Sequence, residues 1–184
     1  PESENLFCLP ASINLAGAEI DMVSVPNREQ VLSSALKTFL ASESPRYDFV
    51  FIDSPPSLGL LTVNALVAAN EVLVPIQCEY YALEGVTQLI SNIERVKKAL
   101  NPALDVSAIL LTMFDNRTNL SSDVANEVRK FFPKQTLGAT IPRSVRLSEA
   151  PSFGQTAITF DPKNSGTLAY QEAAIELAQR GDHK

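Results

Sequence analysis

The chain contains no tryptophan, one histidine and two cysteines. The histidine, His183, lies in the terminal tail, which removes a histidine-based catalytic or zinc centre from consideration. Cys8 and Cys78 lie far apart without metal-type spacing, so they read as buried free thiols in a reducing, cytoplasmic setting. Glycine is sparse, and none of the seven is followed by lysine. Neither a G-x-x-x-x-G-K-[ST] phosphate loop nor a G-x-G-x-x-G fingerprint is therefore present. No apolar run approaches the ~18 residues of a membrane span, and there is no signal-peptide pattern. A formal net charge of −6 gives no overall field favouring nucleic acid and leaves only a local basic patch open. The first residue is Pro1 rather than Met, which reads as a fragment or trimmed product.

Hydrophobic residues at 45% and charged residues at 20% fit one globular domain over 1–184. Short apolar runs at 5–9, 49–52, 72–76, 106–112 and 136–141 predict strands. Between them, apolar residues recur at helical spacing. Val31, Leu32, Ala35, Leu36, Phe39 and Leu40 follow a cap at Asn27. Leu58, Leu61, Ala65 and Ala68 follow a cap at Ser57. Leu83 to Leu100 make the strongest helix, and Asn101-Pro102 stops it. Ser121, Ser122 and Asp123 are read as the cap of a helix carrying Val124 and Val128. Residues 143–166 read as loop, and a last helix carries Tyr170, Ala173, Ala174 and Leu177. Strands alternating with helices predict an α/β fold with a mostly parallel, doubly wound sheet. In such a sheet the strand carboxyl ends share one edge. Asp53, Gln77, Met113 to Asp115, and Pro142 to Arg143 are expected there.

Asp53 ends the run Phe49-Val50-Phe51-Ile52, and Pro55-Pro56 force the chain out. An acid at that point either orients Mg²⁺ through water, as in P-loop NTPases, or caps the following helix. The residues alone leave both open.

Several collinear stretches together resemble the ParA-type chromosome and plasmid partitioning ATPases of the Soj-like branch. They are LPASINLAGAEI (Leu9 to Ile20), YDFVFIDSPPSLGLLTVNAL (Tyr47 to Leu66), VPIQCEYYALEG (Val74 to Gly85), LLTMFDNRTNL (Leu110 to Leu120) and IPRSVRLSEAPSFGQ (Ile141 to Gln155), with Asp161-Pro162-Lys163 beyond. That family carries a deviant P-loop, KGGVGKTT, near its N-terminus. The resemblance therefore implies the C-terminal two-thirds of such an ATPase, a deviant P-loop NTPase fold incomplete at its N-terminus. It also implies negligible ATP hydrolysis by this stretch alone and apolar surface left exposed.

The resemblance implies these roles. Asp53 is the Walker B acid and holds Mg²⁺ through water. Ser54, Pro55, Pro56 and Ser57 form the γ-phosphate switch, with Ser54 where the family usually has Cys. Met113, Phe114, Pro142 and Arg143 hold the adenine of ATP, although core packing explains Met113 and Phe114 equally. Lys134 and Lys163 contact DNA without sequence preference, at positions where Arg is common. Lys keeps the charge and loses the bidentate fork. Arg117, Arg129, Lys130, Arg143 and Arg146 are weaker candidates for that surface. Arg146 and Glu149 can instead pair to order their loop. Tyr80, Tyr81 and Glu84 are candidates for contact with a second subunit. Phe153 stands where the family often has His. The implied partners are a homodimer mate when ATP is bound, DNA, and a ParB-type centromere-binding protein, with no membrane. The implied setting is cytoplasmic and nucleoid-associated. Two other classes stay open, a MinD-type positioning ATPase and a non-catalytic interaction module. Glu172, Glu176 and Asp182 make the last helix a poor membrane binder.

Overall fold

Three apolar runs pair into a parallel sheet in the computed structural model, which describes residues 5–42, 46–55 and 59–181. The strands are β1 (Glu71–Gln77), β2 (Asp105–Phe114) and β3 (Thr136–Pro142), in the order β1-β2-β3. β2 and β3 run parallel, with Ile109 opposite Thr136 and Phe114 opposite Pro142. The Asp105 amide donates to the Asn70 carbonyl at 3.2 Å, and the Cys78 amide to the Thr112 carbonyl at 2.9 Å. Residue numbers rise together along β1 and β2, so that pair is parallel too. Ala108, Ile109, Leu110 and Leu111 of β2 are all buried, as expected of a strand covered on both faces.

The helices are α1 (Leu15–Asp21), α2 (Val31–Ala41), α3 (Leu60–Ala68), α4 (Ala82–Ala99), α5 (Asn119–Phe131), α6 (Val145–Glu149), α7 (Ala157–Phe160) and α8 (Ser165–Gly181). The chain forms two compact units, Pro1–Val72 with Asn92–Asp105, and Leu73–Ser91 with Val106–Lys184.

In the first unit α2 packs on α3. Asn64 secures the packing. Its buried amide accepts from the Leu32 amide at 3.1 Å and donates to the Arg28 and Leu60 carbonyls at 2.8 and 3.0 Å. Asn101 donates to the Leu66 and Ala69 carbonyls at 2.9 and 2.7 Å, satisfying carbonyls left over at the end of α3. At the other end the Glu19 carboxylate accepts from the Leu61 amide at 3.1 Å. Acid there complements the helix dipole.

In the second unit α8 packs on β3. Ala108, Leu110, Leu137, Ile141, Ala169 and Ala173 form a buried cluster between them. Gly166 permits the approach of α6, since a Cβ there would lie 2.5 Å from Leu147 Cδ1.

Several expectations are corrected. Residues 5–9 and 49–52 form no strand. A strand needs a neighbour to complete its ladder, and among the described residues these runs have none. The ring of Tyr47 instead lies 5.7 Å from Phe7 and 5.6 Å from Phe39. Leu6, Phe7, Leu9, Phe49 and Phe51 remain exposed. Cys8 is exposed as well, whereas Cys78 is buried as expected. Asn27 sits at positive φ and makes no side-chain cap. Ser57 lies outside the described residues, and α3 begins after Gly59. The cap of α5 is Thr118, whose hydroxyl accepts from the Ser121 amide at 3.4 Å, not the Ser121–Asp123 group. Residues 143–166 contain α6, α7 and a 3-10 turn at Ala150–Phe153. These are too short for a periodic signature.

Candidate functional site

The carboxyl end of a parallel strand leaves its last backbone groups without ladder partners. Side chains there face the edge where α/β proteins bind ligands. In the second unit this edge is built from β1, β2 and β3. A cavity of about 900 Å³ is lined there by Gln77, Glu79, Tyr80, Tyr81, Met113, Asp115 and Arg143, among others. A smaller one of about 340 Å³ is lined by Phe114, Asp115, Asn116, Arg117, Pro142 and Arg143. Both volumes lie within the range of small-molecule sites.

The register makes the smaller cavity. Phe114 and Pro142 are ladder partners, and the Arg143 amide donates to the Phe114 carbonyl at 2.9 Å. Three of the four expected adenine-binding residues therefore meet in one place. Met113 lines the larger cavity together with Arg143. Its φ of 53° is left-handed, where a side chain costs of order 1 kcal/mol. Register shifts in the β2–β3 pairing on either side of Leu111 accompany this kink.

Charge at the edge is paired. Arg117 grips Asp115 with two bonds, Nε to Oδ1 at 2.9 Å and Nη2 to Oδ2 at 2.7 Å. The Arg117 bonds, with the Arg143 charge adding, hold the Asp115 carboxyl well below the usual carboxylate range. The grip is fully present above that range and is lost only as pH falls through the depressed pKa. The Arg117→Ala variant keeps the backbone donation from residue 117 to Asp115 Oδ1 at 3.0 Å and the Arg143 charge, so it is expected to raise the Asp115 titration only part of the way back to the ordinary carboxylate range. Carboxyl-carbon NMR shifts across pH check this, and an unmoved midpoint contradicts it. Arg143 Nη2 meets Glu79 Oε1 at 2.7 Å, tying the segment after β1 to the end of β3.

Asp53, Ser54 and Pro55 belong to the first unit and are exposed. Pro56 and Ser57 lie outside the described residues. The Asp53 carboxylate has no hydrogen-bond partner among the described residues, so it does not cap α3, and its oxygens are open to water. The Thr62 hydroxyl donates to the Pro55 carbonyl at 3.4 Å, linking the proline segment to the first turn of α3. No cluster of three or more acidic, Cys or His side chains suited to a metal occurs among the described residues. A cation held through water at Asp53 would take its ligands from water and phosphate, which is the habit of Mg²⁺.

The basic residues divide. Lys130 pairs with Glu127 at 3.6 Å, Arg129 donates to Thr140 Oγ1 at 3.0 Å, and Arg146 pairs with both Glu149 and Asp161. Lys134 and Lys163 are exposed and make no ion pair among the described residues. The Lys134 carbonyl accepts from Arg180 near the end of α8, whereas Lys163 precedes its start. The 17 residues of α8 span about 25 Å, so the two lysines lie near opposite ends of that helix rather than in one patch. No helix among the described residues is long and apolar enough to cross a membrane.

Glu79 was not among the sequence candidates. Its signal is its position two residues past the end of β1, among the carboxyl-edge positions. Arg180 carried no signal, because the carbonyls it contacts lie 44 to 73 positions away.

Comparison with known proteins places this geometry among relatives. Residues 1–106 match the family described as AAA domain. The chain is 50% identical over 183 residues to the chromosome partitioning protein ParA of Myxococcus xanthus, covering 100% of this chain and 63% of that one. It is 49% identical over 178 residues to the sporulation initiation inhibitor protein Soj of Bacillus subtilis, covering 97% of this chain and 69% of that one. Among solved structures, cobyrinic acid a,c-diamide synthase from Mycobacterium smegmatis, with bound ATP analogue and magnesium, is 37% identical with a TM-score of 0.76, covering 95% of this chain and 62% of that one.

Proposed function

The chain belongs to the ParA/Soj family of chromosome-partitioning ATPases, and from that membership we propose that the whole protein is a Mg²⁺-dependent ATPase that dimerises on ATP and binds DNA without sequence preference. Members of this family are P-loop NTPases. The observation that carries the reading is the meeting of Phe114, Pro142 and Arg143 in one cavity at the carboxyl edge. Phe114 and Pro142 supply flat apolar surface for a base. Asp53, whose carboxylate has no hydrogen-bond partner among the described residues, would hold a water of the magnesium ion. Ser54, Pro55, Pro56 and Ser57 carry the state of that site into α3, through the bond from Thr62 to Pro55. Bound ATP supplies the phosphoanhydride that is broken.

Lys134 and Lys163 take DNA phosphates because neither charge is spent in an ion pair among the described residues. A centromere-binding protein of the ParB type stimulates the cycle, and the protein acts on the nucleoid in the cytoplasm. Residues 1–184 form part of one ATPase domain. Equilibrium binding of the whole protein to duplex DNA of arbitrary sequence, with Mg²⁺ and ATP, ADP or neither, tests the proposal. Binding that requires ATP and falls steeply with salt is expected. Binding indifferent to nucleotide overturns it.

A further inference from the structure

Two cations stand close together near the start of α8, and the chain treats them differently. Lys163 is exposed and makes no ion pair among the described residues. Arg146, in α6, is tied on three sides. Its Nε donates to Asp161 Oδ2 at 3.1 Å and its Nη1 to Glu149 Oε2 at 3.0 Å. Its guanidinium carbon lies 4.3 Å from the centroid of the Phe160 ring. Phe160 in turn stacks on Phe153 at 5.1 Å. One positive charge is thus matched by two carboxylates. This local balance is negative and does not attract phosphate.

The partner Asp161 opens the turn that carries Lys163. The Asn164 amide donates to the Asp161 carbonyl at 3.2 Å, closing the turn. Thr167 Oγ1 donates to the same carbonyl at 2.8 Å. At the far side Asn164 Oδ1 accepts from Ser144 Oγ at 3.1 Å and from the Gly166 amide at 2.9 Å. Pro162 restricts the backbone between these anchors. The turn is therefore held at both ends, with the Lys163 side chain left free. Arg146 supplies the long-range anchor at the first end, because Thr167 and Asn164 bind the turn only from within its own helix start.

We propose that Arg146 is a positioning residue, which fixes the Asp161–Asn164 turn so that Lys163 is aimed at a nucleic-acid phosphate without Arg146 touching the nucleic acid. This rests on the reading of Lys163 as a DNA contact. A planar fork stacked on an aromatic ring suits Arg and not Lys. Charge and position therefore make opposite demands on the variants.

The test is equilibrium binding of the whole protein, with ATP and Mg²⁺, to duplex DNA across a range of salt. Lys163→Ala is expected to lower the slope of log affinity against log salt by about 1. Arg146→Ala is expected to weaken binding about 2- to 10-fold, the cost of ordering a freed side chain and its turn, with the slope unchanged. Arg146→Lys is expected to behave like Arg146→Ala. Asp161→Asn removes a negative charge beside Lys163 and is still expected to weaken binding. A slope lowered by about 1 in Arg146→Ala and restored in Arg146→Lys makes Arg146 a phosphate ligand and overturns the proposal. Tighter binding by Asp161→Asn also overturns it. Amide exchange in free Arg146→Ala gives an independent reading. Faster exchange over 161–166 is expected, and unchanged exchange there refutes the positioning role whatever DNA does. If exchange rises but Lys163→Ala leaves affinity and slope unaltered, the DNA reading of Lys163 fails and the proposal falls with it.

Discussion

Leu137→Ala is expected to destabilise the fold by about 2–5 kcal/mol, towards the upper end of that range. Leu137 has no exposed surface and sits in β3 under α8. Three of the five other buried residues in its cluster are alanines, Ala108, Ala169 and Ala173. Alanine has no rotamer to swing into a vacated space. Of the buried members only Leu110 and Ile141 have side chains that could lean inward, and both are held by strand backbone, while the partly buried Leu73, Leu147 and Leu177 pack against the cluster from outside. The cavity therefore persists, and the cost includes the cavity term as well as lost transfer energy. Thermal unfolding checks this. For a chain of this size each kcal/mol lowers the midpoint by about 2–4 °C. A fall of less than ~3 °C contradicts the packing described.

Arg180→Ala is expected to cost about 2–3 kcal/mol, more than a surface arginine normally contributes. Its guanidinium donates to the carbonyls of Ser107, Lys134, Gln135 and Thr136 at 3.0 to 3.3 Å and to Glu176 at 2.7 Å. These carbonyls lie at the amino-terminal ends of β2 and β3, and that of Gln135 also accepts from the Ile109 amide at 2.9 Å. Glu176 accepts from the Gly138 amide at 2.9 Å, so the pair ties α8 to β3. Removing Arg180 strips four carbonyls and a carboxylate of one shared donor. Arg180→Lys is expected to recover less than half of the loss, because an ammonium cannot fan out over the same set. Urea unfolding of the three proteins measures it. Full recovery in the lysine variant shows that charge alone suffices.

The contrast between Leu137 and Arg180 marks what the sequence discloses. Leu137 lies in the strand-like stretch Thr136 to Ile141, closed by Pro142, and short stretches of that kind announce strands. β1, β2, β3 and α4 were legible for that reason or from their helical period. Arg180 is one polar residue on a polar helix end, and its partners are set by tertiary approach. The runs at 5–9 and 49–52 carry the same apolar signal as β1. Composition reports that a strand could be buried, not that a neighbour is present to pair with it. The cap of α5 failed by a few residues for a related reason. Ser121 looks like a cap, yet its hydroxyl donates to the Cys78 carbonyl at 3.2 Å, and Thr118 takes the capping place.

The candidate site divides the same way. Parallel strands bring their carboxyl ends together, so Gln77, Met113, Asp115 and Arg143 could be grouped before any coordinates, and they do line one cavity. The pairing of Arg143 with Glu79 could not be read, because either residue had other acids or bases within plausible reach. The pairing of Arg146 with Glu149 was legible from their spacing and is present at 3.0 Å, whereas the further ties of Arg146 to Asp161 and Phe160, which set it apart from Lys163, are shown only by the fold.

Phosphate release by the whole protein, wild type against Asp53→Asn, tests the central claim most directly. The account predicts turnover of ATP that requires Mg²⁺ in the wild type. It predicts loss of that turnover in Asp53→Asn with the circular dichroism and thermal midpoint unchanged, since the Asp53 carboxylate bonds nothing in the described fold. Equal turnover in the two proteins, or none in the wild type, contradicts it.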